Sequence, residues 1–303
     1  DDVKITQARI TIDAADDGIS ANDSVILAGA NVTVSAKGDG VKATTEDKIQ
    51  KGYVAVTGGS LNITSGADGL QSATLLYMKS GTVAVDTTGG DSGGSESSAK
   101  GLKSGGGIVI EDGKFNIDSI DDAIHSNGMI RIEGGTIVIP RCYEGIESSF
   151  IEISGGTISL TASDDGINAA GGVGNKLVIS GGNITVNAAG DGIDANGSIT
   201  MTGGTVLVYG PTNDGNSALD YDGVFEISGG TLLTAGSSGM AMAPSSGSTQ
   251  YTIANTTGSQ AAGTKVRLTD SAGKTIAEFT PPKAYSHVVI SSPEIKKGET
   301  LGI

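Results

Sequence analysis

The sequence predicts an all-β fold, a right-handed parallel β-helix of about nine or ten coils with three short strands per coil and a small C-terminal β cap. Three observations predict it. Glycine supplies 49 of the 303 residues against only six prolines, so neither collagen nor a proline-rich stalk fits. Two short motifs recur in fixed order along most of the chain. No repeat contains a helix-period stretch or a tight Asn-Gly hairpin signal.

The first motif reads acidic-Gly-aliphatic-x-small. Copies begin at Asp16 (DDGISA), Gly38 (GDGVKA), Ala67 (ADGLQS), Ala99 (AKGLKS), Asp121 (DDAIHS), Tyr143 (YEGIES), Asp164 (DDGINA) and Gly190 (GDGIDA), with degenerate copies at Ser217–Tyr221 and Ser238–Met242. Its third position falls at residues 18, 40, 69, 101, 123, 145, 166 and 192, so the unit is about 22 residues with occasional insertions. The second motif is a glycine pair followed by a polar residue and alternating apolars, as in GGTIVIP from Gly134 and GGNITVN from Gly181. A third apolar segment precedes each pair, as in MIRI from Met129 and FIEI from Phe150. Three strands per unit are too few to bury a face alone, so the units must stack.

Alternation assigns the inward positions. After each glycine pair these are Ile137 and Ile139, Ile158 and Leu160, Ile184 and Val186, Val206 and Val208. Before it they are Ile130 and Ile132, Ile151 and Ile153, Leu177 and Ile179, Phe225 and Ile227. The acidic strand turns in Ile124, Ile146, Ile167 and Ile193, followed by the small residues Ser126, Ser148, Ala169 and Ala195.

The repeats fade after about Ala243, which sets the expected boundary between a helix over 1–243 and a cap over 244–303. Two alternating strands around Asp270-Ser271-Ala272-Gly273 read as a hairpin that covers the open end of the rod. Two polar insertions, Thr44–Gly52 and Asp86–Ser97, interrupt the rod, the second read as a mobile loop.

A net charge of −15 argues against nucleic acid and anionic membranes as partners. No apolar run approaches the roughly 20 residues of a membrane span, and a monomer is expected. The single cysteine, Cys142, excludes an internal disulfide and reads as a buried free thiol. The composition fits an extracellular or bacterial cell-surface protein, with an export signal absent from the polar start.

Chemistry must come from outward positions. On the acidic strand these are Ser20, Lys42, Gln71, Lys103, His125, Glu147, Asn168 and Asp194 in successive coils. A corner column precedes it: Asp17, Asp39, Asp68, Lys100, Asp122, Glu144, Asp165 and Asp191, reinforced by Asp16, Asp121 and Asp164. Stacked carboxylates about 5 Å apart raise one another's pKa, and a hard divalent cation removes the conflict. Calcium is therefore the expected cofactor, held among Asp16, Asp17, Asp121, Asp122, Glu144, Glu147, Asp164, Asp165, Asp191 and Asp194. For any single Asp beside Gly a turn role is the simpler reading. Turn chemistry does not account for Glu147 or Asp194, which lie on the strand.

The repeated DDGI-x-[AS] and GG-[TN] units together with the tail TPPKAYSHVVISSPEIKKGET resemble a clostridial-type carbohydrate-binding parallel β-helix family over essentially the whole chain. The resemblance implies an exported, calcium-binding protein, similar in architecture to pectate lyases, whose partner is plant cell-wall polysaccharide, including cellulose and polygalacturonate. Candidate sugar contacts beside the acidic edge are Lys100, Lys103, His125, Arg141, Tyr143 and Asn168. Binding without cleavage is the preferred reading, because Lys100, Lys103, Arg131 and Arg141 are scattered and no single base stands out. A calcium-dependent lyase and a surface scaffold with structural calcium are the alternatives. With no Trp, and with Tyr77, Tyr143 and Tyr221 apart in sequence, the aromatic residues make a poor platform on sequence grounds.

Overall fold

The computed structural model describes residues 1–46, 50–89, 98–172 and 174–303. It is all-β, without a helix among the described residues. Ten coils stack in parallel, each contributing to a middle sheet and to a sheet that follows the glycine pairs, and nine of them also contributing a short acidic-motif strand. The acidic-motif sheet runs in register through Ile19, Val41, Leu70, Leu102, Ile124, Ile146, Ile167, Ile193 and Leu219. The middle sheet runs from Asp2–Thr6 to Phe225–Ile227 and the third from Arg9–Ala14 to Thr231–Gly236. Every residue expected to point inward is buried, and together these side chains form one continuous core along the rod.

The glycine pairs are a stacking requirement. The second glycine of each pair has positive φ, as at Gly135 (88°), Gly156 (87°) and Gly182 (88°). From Gly134 onward a Cβ at the first would meet a carbonyl oxygen of the coil below, at 2.1 Å for Gly155 and 2.2 Å for Gly181. Both positions therefore exclude side chains, one by conformation and one by contact.

The C-terminal region closes the rod differently from the sequence expectation. The hairpin is present, Val266–Thr269 paired antiparallel with Thr275–Phe279, but it forms a separate two-stranded sheet. The last coil is covered instead by Tyr285–Ser291, which pairs antiparallel with Thr231–Gly236 on one side and Thr252–Gln260 on the other. Val289 points into the helical core, while Val288 and Ile290 join Leu233, Leu268 and Phe279 in a second core outside the sheet. The hairpin thus packs on the flank of the last coils, and the alternating VVIS run is what caps the strand edge. Lys283 ties this segment back by donating to the Ala188 carbonyl at 2.5 Å.

Of the two insertions, residues 47–49 and 90–97 lie outside the described residues, and the mobile-loop expectation falls on the second set. The feet are tied down: Lys51 bonds Asp23 at 2.6 Å, and the Thr87 hydroxyl donates to the Ala99 carbonyl at 2.6 Å. Cys142 is buried and free, its thiol pushed up to about 12 by burial.

Candidate functional site: a carboxylate ladder half filled with cations

The corner aspartates do one job repeatedly. Asp17 Oδ1 accepts the backbone N–H of Asp39 at 2.9 Å, Asp39 that of Asp68 at 3.0 Å, and Asp68 that of Lys100 at 2.9 Å. The same bond recurs from Asp122 to Glu144 (3.3 Å), Asp165 to Asp191 (2.7 Å) and Asp191 to Ser217 (2.5 Å). Each carboxylate therefore caps a corner amide of the following coil, not an amide of its own turn. The local turn reading is corrected to a ladder between coils, which explains why the spacing of these aspartates is the repeat length itself.

One oxygen of each aspartate is used in this way, and the other faces the outward column of the acidic strand. In the first half of the rod a protein cation meets it. Lys42 lies 3.1 Å from Asp17 and 3.0 Å from Asp39. Lys103 lies 2.9 Å from Asp68, and Lys100 bridges Asp121 (3.1 Å) and Asp122. His125 Nδ1 bonds Glu147 and lies 3.2 Å from Asp122. Burial works against the charged imidazole, but the bonds to Asp122 and Glu147 prevail and hold it up at about 9. Asp122, Glu147 and His125 gather potential ligand atoms within 4.8 Å, in an arrangement that could hold a metal. Lys100 and the imidazolium already neutralise this group, so it is a closed ion-pair network.

The second half of the rod has no such partners. Among the described residues no lysine, arginine or histidine forms an ion pair with Glu144, Asp165, Asp191, Asp194 or Asp220. Burial and neighbouring carboxylates push Glu144 up to about 8, Asp165 to about 6 and Asp194 to about 7, and raise Asp191 as well. Asp164 and Asp165 lie against Gly190, where a Cβ would come within 2.5 Å of either carboxylate.

Asn168 sits in the middle of this cluster, paired in register with Glu147 on one side and Asp194 on the other. It is only 8% exposed. Its Nδ2 donates to Glu144 at 3.3 Å, and its buried Oδ1 has no hydrogen-bond partner. An orphaned amide oxygen beside uncompensated carboxylates offers the kind of oxygen donor that calcium takes, but among the described residues no three of these carboxylates bring ligand atoms within 4.8 Å of one another.

The residues singled out from sequence are thereby sorted. Glu144, Asp164, Asp165, Asp191 and Asp194 come together at the uncompensated end, and Asn168, grouped with sugar contacts, joins them. Asp121, Asp122, Glu147, Lys100 and His125 form the ion-pair network next to it. Asp16 and Asp17 lie near the first coils, with Asp17 held by Lys42. Lys103 belongs to Asp68, and Arg141 to Asp118 at 2.6 Å on the neighbouring sheet. Tyr143 is half exposed, its phenol pushed up to about 12 by a hydrogen bond to Asp164. Asp220 was missed. It pairs in register with Asp194, and the signal was the degenerate copy SALDY, whose Leu219 aligns with Ile193.

Comparison with curated proteins and with solved structures gives no significant match to either. A family model described as carbohydrate-binding domain-containing protein matches residues 1–145 and 140–296. With the whole β-helix and most of the cap inside those matches, the chain belongs to the carbohydrate-binding domain-containing protein family.

Proposed function

We propose that this protein binds acidic plant cell-wall polysaccharide outside the cell, with calcium held on the second half of the carboxylate ladder, and does not cleave it. The observation that carries the reading is the run Glu144, Asp165, Asp191, Asp194 and Asp220, which has no ion-pair partner among the described residues and includes the two neighbours, Glu144 and Asp194, of the Asn168 side chain with its orphaned oxygen. Asn168 with Glu144, Asp165 and Asp194 on the flanking coils would hold the ion, which would supply the positive charge needed to draw a uronate carboxylate to a protein of net charge −15. Glu144 holds the Asn168 amide, Asp165 and Asp191 keep one oxygen each on backbone amides, and the strand fixes Asp194 and Asp220 in register.

The absence of cleavage is supported by the fate of the basic residues. Lys100, Lys103, Arg131 and Arg141 are each ion-paired, Arg131 with Glu152 at 2.9 Å on a different sheet. None is free to take a proton beside a uronate carboxylate. Retention on pectate beads with calcium, its loss with chelator, and no rise in ultraviolet absorbance from unsaturated uronide are the expected results. Chelator-insensitive retention would refute the calcium reading, and unsaturated product would make the protein a lyase.

A further inference from the structure

The two ends of the rod are finished differently. At the far end the third sheet receives Tyr285–Ser291 as an antiparallel strand on Thr231–Gly236, which closes its edge. The first coil has strand neighbours on one side only. Asp2–Thr6 pairs with Ser24–Ala28, Arg9–Ala14 with Ala30–Ala36, and Ile19–Ala21 with Val41–Ala43. Among the described residues no strand pairs with their other edges. Behind this edge Val3, Ile5, Ile10 and Ile12 are only half-buried, whereas Val25, Leu27, Val32 and Val34 one coil further in are fully buried. Unpaired strands with apolar side chains behind them are a template for another strand.

We infer that the open edge is an interface with a second copy of this chain, and that two rods join head to head through Arg9–Ala14 on a two-fold axis at Thr11. Backbone geometry sets the register. Asn31 and Lys37 donate to the carbonyls of Ala8 and Ala14, and the pairing between them is unbroken, so the even-numbered backbone groups are spent on the second coil. The N–H and C=O groups of Arg9, Thr11 and Asp13 therefore face the open edge. An antiparallel copy centred on Thr11 uses all of them, with Thr11 opposite Thr11 and Arg9 opposite Asp13 at both ends of the strand pair. Ile10 then falls opposite Ile12 of the second copy on the inner face, which continues the core across the contact. Side-chain charge selects the same arrangement. Arg9 and Asp13 are exposed, and among the described residues neither forms an ion pair. Self-pairing of Asp2–Thr6 about its centre would instead set Lys4 against Lys4. The contact is isologous, so it closes at two copies. The third sheet would then end in an antiparallel strand at both ends, one supplied by its own chain and one by the second copy.

Sedimentation velocity of the whole chain at tens of micromolar, in about 0.15 M salt where repulsion between distant charges is screened, tests the contact. A dimer is the expected species. Arg9→Asp sets carboxylates against each other at both ends of the strand pair and should weaken the dimer at least about tenfold. Asp13→Arg should do the same with guanidinium groups. Mixed in equal amounts, the two variants should recover a dimer, because each supplies the charge that the other lacks, and that recovery also shows that both are folded. The exchange within one chain, Arg9→Asp with Asp13→Arg, should dimerise like the wild type. The inference is overturned by a wild type that sediments as the monomer expected from sequence, which would leave the edge to a different partner. A dimer that Arg9→Asp leaves intact, or a mixture of the two single variants that stays monomeric, overturns it as well.

Discussion

Asp165 accepts the backbone N–H of Asp191 on its Oδ1 at 2.7 Å, and among the described residues no cation forms an ion pair with its carboxylate. Asp68 makes the same backbone bond, to Lys100 at 2.9 Å, and has Lys103 at 2.9 Å on its second oxygen. The two halves of the ladder make the same backbone bond and differ in whether a protein cation meets the second oxygen.

Removing a filled rung should therefore cost stability. Asp68→Ala leaves the Lys100 amide and the Lys103 ammonium without their partner in a buried setting, a loss of about 3 kcal/mol. Urea denaturation should show a lower midpoint with an unchanged slope. Lys103→Met should also destabilise, since it strands the Asp68 carboxylate, and a variant as stable as wild type would show that the ion pair contributes nothing.

Removing an empty rung should do the opposite in the absence of calcium. Asp194→Asn relieves repulsion with Asp165, Asp191 and Asp220, so the calcium-free variant should melt higher than calcium-free wild type at pH 8. Calcium should raise the melting temperature of the wild type strongly and that of the variant little. Identical calcium responses would remove Asp194 from the site.

The pH dependence of calcium-free stability has a fixed sign. Glu144, Asp165 and Asp194 hold protons more tightly folded than unfolded, up to about 8, 6 and 7 respectively. Between their ordinary range near pH 4 and those values the native state binds more protons, so stability falls as pH rises. The protonated His125 adds to this, its contribution being present below its ordinary value and lost as pH rises through about 9. Melting temperatures in chelator should decline steadily from pH 5 to pH 8, and saturating calcium should flatten the decline. A rise over that interval would contradict the charge assignment.

His125 itself can be followed directly. Its imidazole should remain protonated at neutral pH and titrate near 9 in nitrogen-15 NMR. In Glu147→Gln the transition should move down, because one of the two carboxylates holding the proton is gone. A wild-type transition below pH 7 would mean that the network around Asp122 is open.

The fold was legible because a parallel coil must repeat its inward residues at every turn, and Ile124, Ile146, Ile167 and Ile193 do so in sequence. The acidic columns were legible for the same reason. Which rungs were filled was not, because Lys42 reaches Asp17 in the preceding coil and Lys103 reaches Asp68 in the preceding coil, contacts that depend on side-chain direction across strands. The capping strand was hidden because Tyr285–Ser291 and the hairpin strands share the same alternation, and only pairing tells which one meets the rod.

The central claim is that the empty rungs around Asn168 hold calcium. Titration calorimetry of the wild type with calcium, repeated in buffers of different ionisation enthalpy at pH 7, tests it most directly. Saturable binding accompanied by proton release is the predicted result, because Glu144 and Asp194 must give up protons to become ligands, and Asp165→Asn with Asp194→Asn should abolish both. No heat at millimolar calcium, or equal binding by the double variant, would contradict the account.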